Sequence, residues 1–190
     1  LTWATGLNWT GTPDNTAPGA GDTALFTAAG LNVGDTVLLG PGQSVGGLSF
    51  NLRQNLTLGG SGSLELGAGG LNRAPSAAGT QTLAVPVTLG SGPLAIGSSS
   101  GGVTVSGIAT GSAGITKQLS GMVAFTNYTH AITGNVSIAS GGGTLRLGGM
   151  ATLQYPTSFI VDGGGVLEVN NNLGTNLPDR IRDDASIVLR

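Results

Sequence analysis

Cysteine is absent from this 190-residue chain, which excludes disulfides and thiolate metal sites and leaves the redox compartment open. Charge is scarce as well: 8% of residues are charged, against about 25% in an ordinary domain, so ion-pair networks cannot organise the fold. Aromatic residues make up 4%, too few for an aromatic core, and stacked aliphatic layers remain. The net charge is −2 and the basic residues are scattered singly from Arg53 to Arg190. They form no positive stripe for phosphates, so nucleic acid is not an expected partner. No apolar run approaches the roughly 18 to 20 residues that cross a bilayer as a helix, so an integral helical membrane protein is not expected either. Nowhere is there a three-turn helix with an apolar stripe.

What the chain does contain is glycine, 36 residues of it, within a composition that is 39% hydrophobic and therefore able to fold. The glycines close short runs of alternating character, such as Ser63-Leu64-Glu65-Leu66-Gly67, Thr144-Leu145-Arg146-Leu147-Gly148 and Val166-Leu167-Glu168-Val169. A period of two sends one set of side chains inward and the other into water, and glycine lets the backbone turn between runs. The expected fold is all-β, a parallel β-helix or β-solenoid without significant helix. At roughly 20 to 25 residues per coil and about 4.8 Å between stacked strands, the chain makes about eight coils and a rod on the order of 40 Å long.

Residues 1–21 read as an irregular N-terminal cap and 22–190 as the solenoid. The first stretch, rich in Thr, Asn, Gly and Pro, holds both tryptophans, Trp3 and Trp9. They suit the covering of an open first rung; the rival reading is a pair of platforms for stacking sugar rings. Strand-length segments follow at Thr23–Thr27, Thr36–Leu39, Val45–Phe50, Asn55–Leu58 and Ser63–Leu66. In the longer strip 80–89, Pro86 removes a ladder donor and marks a bend or corner. Between Gly90 and Gly114 the sequence thins into small residues, but Val103, Val105 and Ile108 keep apolar positions through it, favouring small-residue rungs over a linker. The chain opens at Leu1 without a methionine or an apolar leader, as a mature chain does after signal removal; a trimmed chain would look the same. The alternation Ser186 to Leu189 runs up to Arg190 without a visible polar cap. The expectation is either a fragment of a longer chain or an end that stacks on a neighbour.

From Gly114 a recognisable string appears: Gly114-Ile115-Thr116-Lys117, Ser120-Gly121-Met122-Val123-Ala124-Phe125, Asn127-Tyr128-Thr129, Thr133-Gly134, Val136 and Gly142-Gly143-Thr144-Leu145-Arg146-Leu147. It resembles the autotransporter-associated β-strand repeat of bacterial surface passenger regions, with Lys117 at the repeat's lysine position. Flanking pieces are similar to sequences around such repeats: Asn8-Trp9, Gly21-Asp22-Thr23-Ala24-Leu25-Phe26, Val45-Gly46-Gly47-Leu48-Ser49-Phe50 and Leu177-Pro178-Asp179-Arg180-Ile181. The departures are the reduction of a second Gly-x-Gly to Ser120-Gly121 and the insertion of Ala131-Ile132. The resemblance places one repeat at about 114–147 and implies a right-handed parallel β-helix, secreted or displayed on a bacterial cell surface. Members of the family are mostly stalks or adhesins, and the repeat brings no catalytic motif.

Chemical motifs are weak. Gly-x-Ser-x-Gly occurs at Gly42–Gly46 and Gly97–Gly101, but a nucleophile elbow needs a following helix and a histidine base, and the chain has one histidine. That residue, His130, reads as a surface corner group. Asp179, Asp183 and Asp184 interleave with Arg180 and Arg182, a pattern of solvated turns more than of calcium or acid/base sites. Glu65 and Glu168 sit at outward positions between apolar residues. Four Asn-x-Ser/Thr triplets begin at Asn8, Asn55, Asn127 and Asn135; in a chain this rich in Asn, Ser and Thr such residues more readily serve turns and ladders.

No catalytic residue, metal site or cofactor is therefore expected. The leading reading is a non-catalytic extracellular structural protein: a surface stalk, an adhesin segment or a self-assembling fibre subunit that associates end to end. The alternative is a carbohydrate-binding β-helix with Trp3, Trp9 or Tyr155 as stacking platforms for surface glycans, on host or neighbouring cells. A polysaccharide-degrading enzyme is the third reading, since such enzymes also use parallel β-helices, and it requires acids that converge on one face.

Overall fold

A computed structural model describes residues 1–5, 9, 16–97, 101–171 and 177–190. Among them there is no helix, and every strand pairing is parallel. The chain winds as a β-solenoid of about seven turns, one fewer than the length alone predicts, because some coils are long. Val103 lies opposite Val123, Leu56 opposite Gln81 and Phe159 opposite Ile187, so a coil takes between 20 and 28 residues.

One face of the rod is a 7-stranded sheet whose strands, in order, are Asp35–Leu38, Leu56–Gly59, Thr80–Leu83, Gly102–Val105, Met122–Phe125, Thr144–Leu147 and Val166–Val169. The remaining 11 strands form a second sheet that bends into two further faces. The bend is visible where the pairing of Gln43–Asn51 with Leu64–Arg73 shifts register between Val45 and Gly47. Its second face continues through Val87–Leu89, Ala109–Gly111 and Ala131–Ile132; its third runs from Thr23–Thr27 to Ser186–Leu189. Pro86 stands between Thr80–Leu83 and Val87–Leu89, so the apolar strip there is two strands around a corner. The small-residue stretch after Gly90 carries strands Leu94–Ile96, Gly102–Val105 and Ala109–Gly111, and its Ser98, Ser99 and Ser100 lie outside the described residues.

The parallel register stacks like on like. Val37, Leu58, Leu83, Val105, Phe125 and Leu147 follow one another down the first face, all buried. Outside the same face, Thr36, Thr57, Thr82 and Thr104 form a matching ladder, which gives way to Ala124, Arg146 and Glu168. Arg146 and Glu168 are register partners joined by a half-exposed ion pair of 2.8 Å. Coils approach so closely at some corners that only glycine fits: a Cβ on Gly107 would lie 1.8 Å from the Val85 carbonyl oxygen of the previous coil.

Candidate functional site

The sugar-stacking reading of the tryptophans meets a direct obstacle. Trp3 is fully buried and Trp9 nearly so, and their rings pack edge to face, with centroids 4.9 Å apart. Both lie against Phe26, which stacks on Phe50 of the next coil. Trp9 Nε1 donates to the Trp3 carbonyl at 2.7 Å. Thr2 meanwhile bridges to Leu38, so that residues 1–3 lie along the free edge of the first face. Burial of this size is worth several kcal/mol, and neither indole keeps a face for a ligand. Of the three aromatic candidates only Tyr155 is exposed, at 49%. Asn8 and Thr10, which flank Trp9 in the sequence motifs, lie outside the described residues.

His130 is a second correction. The sequence places it on a surface corner; the structure buries it, with the ring edge to face against Phe125 at 4.9 Å. Its Nδ1 accepts a hydrogen bond from the Ala109 backbone N–H of the preceding coil at 3.0 Å. An imidazole that accepts at Nδ1 and is neutral carries its proton on Nε2. That Nε2 is buried without a partner. Desolvation pulls the imidazole down to about 4, so it is neutral across the ordinary pH range. Packing in the corner takes its one acceptor, so His130 is not free to serve as the histidine base that a nucleophile elbow at Ser44 needs. The second Gly-x-Ser-x-Gly motif contains residues outside the described set.

Three cations are drawn inward, and sequence reasoning missed all of them. Lys117 lies in an aliphatic column of the third face, between Leu94 and Ile138, and is 0% exposed. Its Nζ donates to three backbone carbonyls: Gln118 at 2.7 Å, Leu119 at 2.6 Å and Gly142 of the next coil at 2.6 Å. An ammonium has three donors, and each is used. Leu119 holds the left-handed φ of 61°, unusual for a bulky residue, in the turn where these consecutive carbonyls both reach the ammonium. Burial lowers the ammonium to about 8, still charged at neutral pH.

Arg73 and Arg180 repeat the arrangement at other corners. Arg73 follows Phe26 and Phe50 in register; it donates to Gln81 Oε1 at 2.7 Å and to the carbonyls of Gly97 and Ala77 at 2.8 and 2.9 Å. Arg180 donates to the carbonyls of Ala151 and Leu147 and to Asn171 Oδ1. Desolvation lowers both guanidinium groups from their ordinary value. The expected solvated turn at 179–184 is thus half right: Arg180 is buried, while Arg182 pairs with Asp184 in the open. Asp179, Arg182, Asp183 and Asp184 line a shallow depression with Gln154.

The signal for Lys117 and Arg73 was the alternation itself. Lys117 is in phase with the buried Ile115, and Arg73 with the buried Leu71, but their charge argues outward. Two asparagines of the glycosylation-like triplets are also engaged: Asn55 Oδ1 accepts from the Thr80 N–H at 2.7 Å, and Asn127 Nδ2 donates to the Ser106 carbonyl at 2.9 Å. Among the described residues, no group of three or more acids and histidines is placed to hold a metal ion, and no helix is long and apolar enough to cross a membrane. Comparison of the chain with family models, curated proteins and solved structures found no match.

Proposed function

We propose that this chain is a non-catalytic structural segment of a secreted or bacterial surface protein, a stalk, adhesin or fibre piece made by stacking β-coils. One observation carries this reading. The side chains best equipped for chemistry, namely Lys117, Arg73, Arg180 and His130, are buried and bonded to backbone atoms of their own or neighbouring coils. Each links successive turns of the rod, a mechanical task. The resemblance of residues 114–147 to the passenger-type repeat supports the same reading, and both its lysine and its corner histidine fall among these links.

End-to-end association belongs to this proposal. Ile187, Val188 and Leu189 on the third face, and Val166 and Val169 on the first, are exposed apolar residues on the last strands of their faces. Such strand edges pair readily with another chain. Negative-stain electron microscopy and light scattering over a range of concentrations test it: filaments or concentration-dependent oligomers are expected. Strictly monomeric short rods would remove the fibre reading and leave the stalk. Turnover of any polysaccharide by the purified chain would overturn the non-catalytic reading.

Tyr155 keeps a narrower glycan-binding reading alive. It is exposed and adjacent in sequence to Gln154, which reaches the Asp179 carbonyl at 2.8 Å beside the charged depression. A glycan array silent for the native chain, or equally bright for Tyr155→Ala, would remove it.

A further inference from the structure

We propose that the corner at His130 is an acid-sensitive joint in the rod: protonating the imidazole Nδ1 withdraws the acceptor of the Ala109 N–H and releases the short strands that meet there. The proposal concerns how the rod responds to its surroundings and stands whether or not the chain is a surface stalk.

The geometry makes this joint weak on one face only. Ala109–Gly111 and Ala131–Ile132 share two register pairs, Thr110 with Ala131 and Gly111 with Ile132, and Ala131–Ile132 is the last strand of the second face. In the same coil Met122–Phe125 is held to the following turn by four pairs on the first face. A segment with so few ladder bonds opens before the rest. The His130 hydrogen bond extends this short ladder by one position, with an imidazole nitrogen as the acceptor. Once Nδ1 is protonated, two donors face each other in an apolar corner against Phe125.

Nothing nearby is arranged to welcome the charge. The strands 109–111 and 122–125 and the corner 147–153 contain no acidic residue. Tyr128, in the same corner as His130, is exposed. The charged group that reaches the next corner is Arg180, whose guanidinium bonds the Ala151 and Leu147 carbonyls. The lowered basicity of His130, to about 4, agrees with this setting and places the response in acid. The opened state would expose Ala109 and Ile132, both buried in the closed rod, while the first and third faces keep the coil in place.

Amide hydrogen exchange on the native chain at pH 7 and pH 4, expressed as protection factors, tests the joint. The amides of Ala109 and Thr133, the latter bonded to the Gly111 carbonyl, are expected to lose protection at least about tenfold more than those of Val123 and Leu145. His130→Asn places an amide oxygen near the Nδ1 position and does not titrate, so its selective loss should vanish. An equal selective loss in His130→Asn, or none in the native chain, overturns the proposal. If that variant does not fold, the native imidazole decides, because the chain has one histidine and its Hε1 resonance is unique. A midpoint near the ordinary value of about 6.5, with the rod intact, also overturns it.

Discussion

Lys117 and His130 are buried within one turn of the same solenoid, yet they are treated in opposite ways. The ammonium keeps its charge because three carbonyls converge on it within 2.7 Å. The imidazole has one partner and an orphaned Nε2, so it remains neutral. Corners of a parallel solenoid release backbone carbonyls that no ladder satisfies, and a buried carbonyl without a donor costs about 1–3 kcal/mol. A cation with several donors can answer several such carbonyls at once; a neutral ring can answer one N–H. The number of orphaned backbone groups at a corner thus decides whether a charge is tolerated there.

The largest expected effect comes from removing the ammonium. Lys117→Met keeps the length and apolar stem but leaves three carbonyls without donors. Its desolvation relief offsets part of the loss, and unfolding in urea is expected to show about 3 to 4 kcal/mol less stability with an unchanged slope. A loss under about 1 kcal/mol would mean that water replaces the ammonium and that the corner is not sealed.

The imidazole gives the next largest effect, and it appears only in acid. The fold holds His130 neutral down to about 4, whereas the unfolded chain binds a proton below about 6.5. The stability it contributes is complete above pH 6.5 and is lost as the pH falls toward 4, amounting to about 3 kcal/mol. Urea titrations at pH 7, 5.5 and 4, with His130→Asn as reference, would read this difference directly. Parallel curves for the two proteins would refute the assigned burial.

Much of this was legible in the sequence, and the part that was not has a common cause. The alternation at Leu64-Glu65-Leu66 and Leu145-Arg146-Leu147, with glycines between the runs, was enough to expect stacked parallel coils, and Pro86 was enough to expect a corner. Trp3 and Trp9 were open to two readings, because an indole that covers an open rung and one that meets a sugar look alike until their neighbours are known. Arg180 was expected in a solvated turn, and the burial of Lys117 and Arg73 was not expected at all, because the partners of all three are largely backbone carbonyls, which every residue has and no motif records. His130 was misplaced for the same reason: its partner is the N–H of Ala109, 21 residues away.

Two smaller effects sharpen the comparison. Leu119 is 47% exposed and sits at a left-handed φ of 61°, a conformation that strains a side chain by about 1 kcal/mol or more. Leu119→Gly relieves that strain without touching the carbonyl that Lys117 uses. A gain of up to about 1 kcal/mol in thermal or urea unfolding is expected; a clear loss would show that the leucine side chain itself seals the corner. Arg146→Ala breaks a half-exposed ion pair with Glu168, and its expected cost is at most about 0.5 kcal/mol, fading with added salt. An Arg146 effect as large as that of Lys117 would erase the distinction between outward charges and inward ones.

The most direct measurement uses the fact that Lys117 is the sole lysine. The folded chain is treated with an amine-acylating reagent at pH 7.5 and the modified sites are read by mass spectrometry, with the urea-unfolded chain as reference. With the ammonium enclosed by the carbonyls of Gln118, Leu119 and Gly142, Lys117 should remain unmodified in the fold while the terminal amine of Leu1 reacts, and should react once the chain is unfolded. Modification of Lys117 in the folded rod at the rate of a free lysine would contradict the claim that its charged groups serve the scaffold from within.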